Sequence, residues 1–447
     1  MVQGAWLIII FVVSIVFIIL MTAKVRMNAF YVLLLTALGV GIASGLPMEK
    51  IVGAIRDGFG GTLGYIGVVI ICGTTIGVIL ERTGAAFSLA DAILRLVGQK
   101  LVPLAMSISG FVVGIPIFCD SGFVVLSTLN KALAERAKIS MSVMAVALAT
   151  GLYSIHCLIP PHPGATAAAG IIGVDLGRVI MLGLPIAIVP AFVGYLWAIK
   201  IGKRFDVPAA PEVSYEQLQA TYGKLPNPFH SAVPIIVPVI LIALKSIGLL
   251  PTHPFGTGGF FNIIVLIGDP QIALLIGVFL ALSLVRKWTK DVLGKWLLNG
   301  VENAGVILAI TAAGGAFGSI LKATPIGGYI GSTLATLGIG IFLPFIIAAA
   351  LKTAQGSSTV AILTAAALVS PMLSSLGFAT GWGPTMVVLA MGAGSMIASH
   401  ANDSYFWVVS KFSGLDVPTA LKAYTTSTIV TGVTAMIVIF LLSLVIL

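Results

Sequence analysis

Apolar runs of about twenty residues, the length an α-helix needs to cross hydrocarbon, recur from one end of the chain to the other. They lack the strict alternation of a barrel strand, so they predict a helical bundle. Spans are expected near 4–23, 27–46, 62–81, 140–172, 179–199, 231–250, 271–285, 303–322, 384–412 and 424–447. Two further apolar stretches, 101–129 and 342–376, carry small and polar residues at their centres. These are Cys119-Asp120-Ser121-Gly122 and Gln355-Gly356-Ser357-Ser358-Thr359. Both stretches are read as re-entrant helical hairpins with those residues at the tips; an ordinary tilted span is the alternative.

Two of the spans are interrupted. Span 140–172 contains Ser154-Ile155-His156-Cys157-Leu158-Ile159-Pro160-Pro161-His162-Pro163-Gly164. Three prolines in four residues remove backbone donors and clash with the preceding turn, so one helix cannot run through. Span 384–412 contains Ser399-His400-Ala401-Asn402-Asp403-Ser404. In hydrocarbon, freed backbone groups and imidazoles are costly unless protein or water satisfies them. Helix breaks at membrane depth therefore belong where they line a cavity, as in transport sites.

Composition narrows the class. Of the 447 residues, 58% are hydrophobic and 9% are charged, where a soluble domain carries about 25% charged residues. An all-α polytopic membrane protein follows. Ala5–Met21 is read as the first span, because it is long for a leader's apolar region and has no basic segment before it. The formal charge of +9 is no nucleic-acid signal, since the basic residues sit in short loops. The three cysteines lie in apolar segments and suggest neither a disulfide nor a metal cluster. No Gly-Lys-Ser/Thr phosphate loop is present, so ATP is not expected to drive the protein directly.

The Lys and Arg positions give a topology. With both termini outside, 18 of the 24 basic residues, among them Lys24, Arg82, Lys138, Arg204, Lys290 and Lys422, fall in cytoplasmic segments. The outer segments hold four: Lys50, Arg56, Arg178 and Lys322. Lys245 and Lys352 lie within membrane stretches and are read as snorkelling to an interface, with pairing to a substrate carboxylate as the other reading of Lys352. The halves also match in order. Gly73, Gly77, Leu80 and Thr83 recur as Gly314, Gly318, Leu321 and Thr324, and Pro103 recurs as Pro344, all at an offset of 241. An inverted repeat of five spans and one hairpin per half is expected, with residues 1–199 and 231–447 joined by a solvated, proline-containing linker over 200–230.

Four polar clusters then meet at the midplane, two from each half. Helix starts pointing into a shared cavity suit a carboxylate. Ser, Thr, Asn and Gln suit hydroxyl groups, so a small hydroxylated acid is the expected substrate. Candidate binding residues are Ser121, Gly122, His156, His162, Gly164, Thr166, Gly356, Ser357, Ser358, Thr359 and Asn402. Asp120, Asp403 and His400 are the proton-coupling candidates, because intramembrane ionisable residues are costly and titrate when buried. Each also has a plain structural reading, as a carboxyl or imidazole fixed at a helix break. The spacing of His156 and His162 fits no standard metal pattern.

The motifs at 118–124, 156–164, 356–361 and 402–407 resemble those of the gluconate permease family of bacterial proton symporters. In order they read Phe-Cys-Asp-Ser-Gly-Phe-Val, His-Cys-Leu-Ile-Pro-Pro-His-Pro-Gly, Gly-Ser-Ser-Thr-Val-Ala and Asn-Asp-Ser-Tyr-Phe-Trp. The resemblance runs from about Lys24 to the C-terminus. It implies uptake of gluconate or a related sugar or hydroxy acid with a proton across the bacterial inner membrane. It also implies a homodimer in which a transport domain slides like an elevator against a fixed scaffold. The first tip departs from the family, with Asp120-Ser121 where many members carry Glu and an apolar residue. Glycerate and D-serine are therefore alternative substrates. Sodium is the alternative coupling ion; an intramembrane enzyme or a channel is the more remote reading.

Overall fold

The computed structural model describes residues 2–210, 215, 217, 224–249, 252, 254–336 and 338–447. Among these there is no β-strand. In chain order the helices are α1 (Ala5–Ile19), α2 (Ala29–Ala43), α3 (Met48–Arg82), α4 (Ala85–Val97), α5 (Val102–Val113), α6 (Cys119–Ala137), α7 (Met141–Leu158), α8 (Pro163–Ile172) and α9 (Leu176–Lys200). They continue with α10 (Pro228–Gly248), α11 (Gly259–Ile267), α12 (Pro270–Leu282), α13 (Leu297–Ala323), α14 (Ile326–Ala335), α15 (Phe342–Gln355), α16 (Ser358–Val369), α17 (Gly383–Ser395), α18 (Ser404–Ser413) and α19 (Thr426–Ile446). Six stretches are long and apolar enough to cross a membrane, or seven if the pair α11 and α12, bent by 67°, counts as one. The protein is a multi-pass, all-helical membrane protein.

Helix starts follow the local chemistry. Asn28, Ser140, Asp175, Asn227 and Asp269 each accept a backbone N–H of the first turn, at α2, α7, α9, α10 and α12. The boundaries recur through the chain. Helices α8 and α18 are both ten residues long and start 241 apart (404 − 163). The same offset relates the starts of α2 and α12, and of the pairs α3/α13 to α7/α17 within a few residues once the π-turn Val292–Trp296 before α13 is included.

Several elements differ from the sequence reading. The expected span 62–81 is the second half of a 35-residue helix. Its first half is charged, but Glu49, Lys50, Arg56 and Asp57 all lie on the exposed side, so the helix continues beneath them. Helices α4, α11 and α14 are additional. The first hairpin breaks over 114–118, and the expected tip at 119–122 is instead the opening turn of α6. Lys245 is paired: its Nζ lies 2.9 Å from Asp269, with the Lys245 side chain 16% exposed. The linker is not simply solvated. Ser140 Oγ donates to Phe205 O at 2.7 Å, Met141 N donates to Val207 O, and Ser88 Oγ donates to Pro226 O at 2.6 Å. Residues 211–214, 216 and 218–223 of the linker lie outside the described residues, as does residue 250 of the expected span 231–250.

Helices α3 and α13 cross at glycines. A Cβ on Gly315 would lie 2.0 Å from Thr62 Oγ1 and 2.6 Å from Gly58 O, and one on Gly58 would lie 2.5 Å from Gly315 O. Backbone atoms cannot rotate away, so Gly315→Ala is expected to cost on the order of 1–3 kcal/mol. Gly305, on the same helix, has open space where a Cβ would stand, with nothing within 4 Å. Gly305→Ala is therefore expected to be neutral or stabilising by up to about 1 kcal/mol through helix propensity. Thermal unfolding of the two detergent-purified variants should shift in opposite directions or differ clearly in size.

Candidate functional site

Four helix starts converge on one cavity of about 120 Å³. Its lining is Phe118, Cys119 and Asp120 at the start of α6, Pro163 at the start of α8, Ser357, Ser358 and Thr359 at the start of α16, and Asp403, Ser404 and Tyr405 at the start of α18. His156, near the end of α7, and Ile307 of α13 complete it. Each helix start leaves unpaired backbone N–H groups and the positive end of its dipole. A cavity walled by four of them favours an anion.

The sequence places the breaks where they are. The Pro160–Pro161 bond is cis and α8 opens with Pro163 at its first position, where the missing N–H costs nothing. Gly356 has φ +91°, a conformation suited to glycine, and a Cβ there would lie 2.1 Å from Asn402 O. The break of the second hairpin thus packs directly on the break between α17 and α18. Ser357 Oγ then accepts from Val360 N at 3.3 Å and starts α16.

A buried ion pair joins the two breaks of the C-terminal half. Lys352 is fully buried, and its Nζ donates to Asp403 Oδ2 at 2.5 Å and to the carbonyl of Gly356. Asp403 Oδ2 also accepts from Ser399 Oγ, and Oδ1 accepts from Tyr405 N at 3.1 Å. Lys352 Nζ lies 5.8 Å from the Tyr153 ring centre. Lys352 therefore points inward, against the expectation that it snorkels. The reason is that a carboxylate, a carbonyl and a ring face replace the water it would lose. With both oxygens engaged, Asp403 is the counter-ion of Lys352. Asp120 differs: its Oδ1 is buried without a hydrogen-bond partner.

The remaining candidates divide. His156 lines the cavity, and its Nδ1 lies 3.2 Å from His162 Nδ1. His162 sits behind it, with Nε2 2.6 Å from Gly114 O at the first hairpin's break. His400 Nε2 and Asn402 Nδ2 both lie 2.9 Å from Thr353 O, so they cap the end of α15 and do not face the cavity. Gly122 and Gly164 are packing positions, where a Cβ would meet Leu152 and Ile362 side chains at 2.7 Å. Thr166 is buried on α8 outside the cavity lining. Ser121 is exposed on the other side of α6, lining a small neighbouring cavity with Glu81 and Asn303. Helix phase accounts for this: Asp120 and Ser121 are consecutive on α6 and must face about 100° apart. The sequence reading missed Tyr405 and the inward course of Lys352. For Lys352 a signal was present: it stands four residues before the Gly356 break, within reach of the carbonyls it caps.

The family model of GntP family permeases matches residues 6–445. The chain belongs to that family. A gluconate permease of Pseudomonas aeruginosa is 32% identical over 450 residues, covering 99% of both chains. The D-serine transporter DsdX of Escherichia coli K12 is 32% identical over 447 residues, again with 99% coverage of both. An uncharacterized permease of Haemophilus influenzae is 35% identical over 420 residues, covering 90% of this chain and 85% of that protein. Among solved structures, the Neisseria gonorrhoeae protein MtrF, described within a class of antimetabolite efflux pumps, aligns with a TM-score of 0.68 at 15% identity, covering 94% of this chain and 96% of that one. The YdaH transporter of Alcanivorax borkumensis aligns at 0.64 and 15%, covering 89% of each. These likenesses carry the fold. This permease is thus a transporter by family.

Removing one member of the buried pair should expose its structural weight. Lys352→Met leaves the Asp403 carboxylate without its cation and is expected to cost about 3–5 kcal/mol. The double variant Lys352→Met/Asp403→Asn should recover most of that loss, read as the thermal midpoint in detergent.

Proposed function

We propose that this permease imports a small hydroxylated monocarboxylate, gluconate or a related sugar acid, together with a proton across the bacterial inner membrane. The observation that carries the reading is the meeting of four helix starts at a cavity holding one carboxyl with an unpartnered oxygen, that of Asp120. Lys352 and Asp403 cancel each other's charge. The charge state of Asp120 then sets the sign of the site. Ionised, Asp120 occupies the positive field of the helix starts and opposes a substrate carboxylate. Protonated, it leaves that field to the substrate. Each ligand favours the other's binding, and this reciprocal coupling is what symport requires.

The relatives named gluconate permease support a sugar acid, and the one named D-serine transporter supports a small α-substituted carboxylate as the neighbouring choice. Recurrence of helix boundaries at 241 supports an inverted repeat, with both termini outside, as the Lys and Arg distribution suggests. An elevator motion is supported by the make-up of the cavity. Its lining comes from the hairpins and broken helices, with Ile307 alone from the crossed pair α3 and α13. A homodimer would supply the fixed frame such a motion works against.

The test is uptake by purified protein in liposomes, with an imposed pH gradient and labelled gluconate, glycerate, lactate, D-serine and succinate. Accumulation of a hydroxy acid should follow the gradient. Asp120→Asn should abolish gradient-driven accumulation while leaving exchange of labelled for unlabelled substrate. Accumulation unaffected by the pH gradient in the wild type would remove the proton role and point to sodium coupling or facilitated diffusion.

A further inference from the structure

The two imidazoles form a hydrogen-bond chain whose direction is fixed at one end. Gly114 O can only accept, so the 2.6 Å contact requires a proton on His162 Nε2. Both rings are at least nine-tenths buried, and the contacts of His162 are a carbonyl and a ring nitrogen, with no carboxylate. A buried imidazolium without an acidic partner is costly, so both rings are neutral. His162 Nδ1 then carries a lone pair. The 3.2 Å contact between the two Nδ1 atoms therefore requires the proton to sit on His156 Nδ1. What remains on His156 is Nε2, a bare acceptor on a ring that lines the cavity.

The ring is also held in place. Tyr153 stacks on His156 with centroids 6.4 Å apart, and Phe118 meets it edge-on at 6.3 Å. The hydroxyl of Tyr153 donates to Ser395 O at 3.1 Å, which anchors the stack to α17. The acceptor is thus set by His162 and Gly114 O behind the cavity wall, and the orientation by Tyr153 and the wall residue Phe118.

We infer that His156 Nε2 is a specificity element: it accepts a hydrogen bond from a hydroxyl close to the substrate carboxylate, and His162 with Gly114 O fixes the tautomer that makes this possible. The inference rests on the reading of the cavity as the site of a hydroxylated acid. A cavity of about 120 Å³ has room for the carboxylate and the first carbons beside it, so the hydroxyl that reaches His156 is one close to the carboxylate. A site built around a fixed acceptor rejects a ligand lacking the matching donor far more strongly than an apolar pocket does.

Two measurements test this. Uptake of labelled gluconate is compared with uptake of 2-deoxygluconate and 3-deoxygluconate, in the wild type and in His156→Phe. One deoxy analogue should be taken up at least about tenfold less well by the wild type, and the difference should vanish in His156→Phe. Equal uptake of all three acids by the wild type, or discrimination that persists in His156→Phe, overturns the inference. Solid-state ¹⁵N NMR of histidine-labelled wild-type protein in lipid, assigned with His156→Gln, reads the tautomers directly. A protonated Nδ1 on His156 and a protonated Nε2 on His162 are expected, and the reverse tautomer on His156 overturns the relay even if the Phe variant does not fold. If glycerate or lactate is the acid carried, it is compared with its own deoxy analogue, 3-hydroxypropionate or propionate. Failure of every acid in the panel would sink the substrate reading itself, while the NMR result would still decide the tautomer.

Discussion

A helix that stops inside a membrane leaves several backbone N–H groups with no water to take them. That constraint governs the middle of this protein. It is met by making the stops coincide, so that four broken ends share one small polar cavity in place of four separate defects. Gly356 packed on Asn402, the ion pair from Lys352 to Asp403, and His162 reaching Gly114 all tie one break to another. The cavity proposed as the transport site is the place where interrupted backbone is tolerated, because it is enclosed by protein and the breaks support one another.

Much of this was legible in the sequence. Hydropathy gave the class, and Pro160, Pro161 and Pro163 together located one break. The shared offset of Gly73 with Gly314 and Pro103 with Pro344 anticipated the recurrence of whole helices. The candidates that stand at the cavity wall, Asp120, His156, Ser357, Ser358, Thr359 and Asp403, were recognisable because polar residues in an apolar run must face something other than lipid.

The remainder was hidden for specific reasons. Spacing shows that residues are near one another in the chain, not which way each points around a helix, so Ser121 could not be separated from Asp120. A polar residue at a break serves two masters, the ligand and the frayed backbone. His400 and Asn402 serve the backbone, through Thr353 O. Lys352 looked like a snorkelling residue because its partner, Asp403, is 51 positions away. Glu49, Lys50, Arg56 and Asp57 masked the first half of α3 because a window average does not see that the charges share one exposed side.

The helix starts that frame the cavity are equivalent in backbone but not in side chain. The caps of α8 and α18 correspond at the offset of 241, yet one is His162 and the other Asp403. Four like dipoles alone would accept a bound molecule equally well in two opposed orientations. The imidazole pair at the start of α8 and the ion pair at the start of α18 break that equivalence. A ligand bound there as proposed would be held one way round, which is the condition for telling an enantiomer from its mirror image.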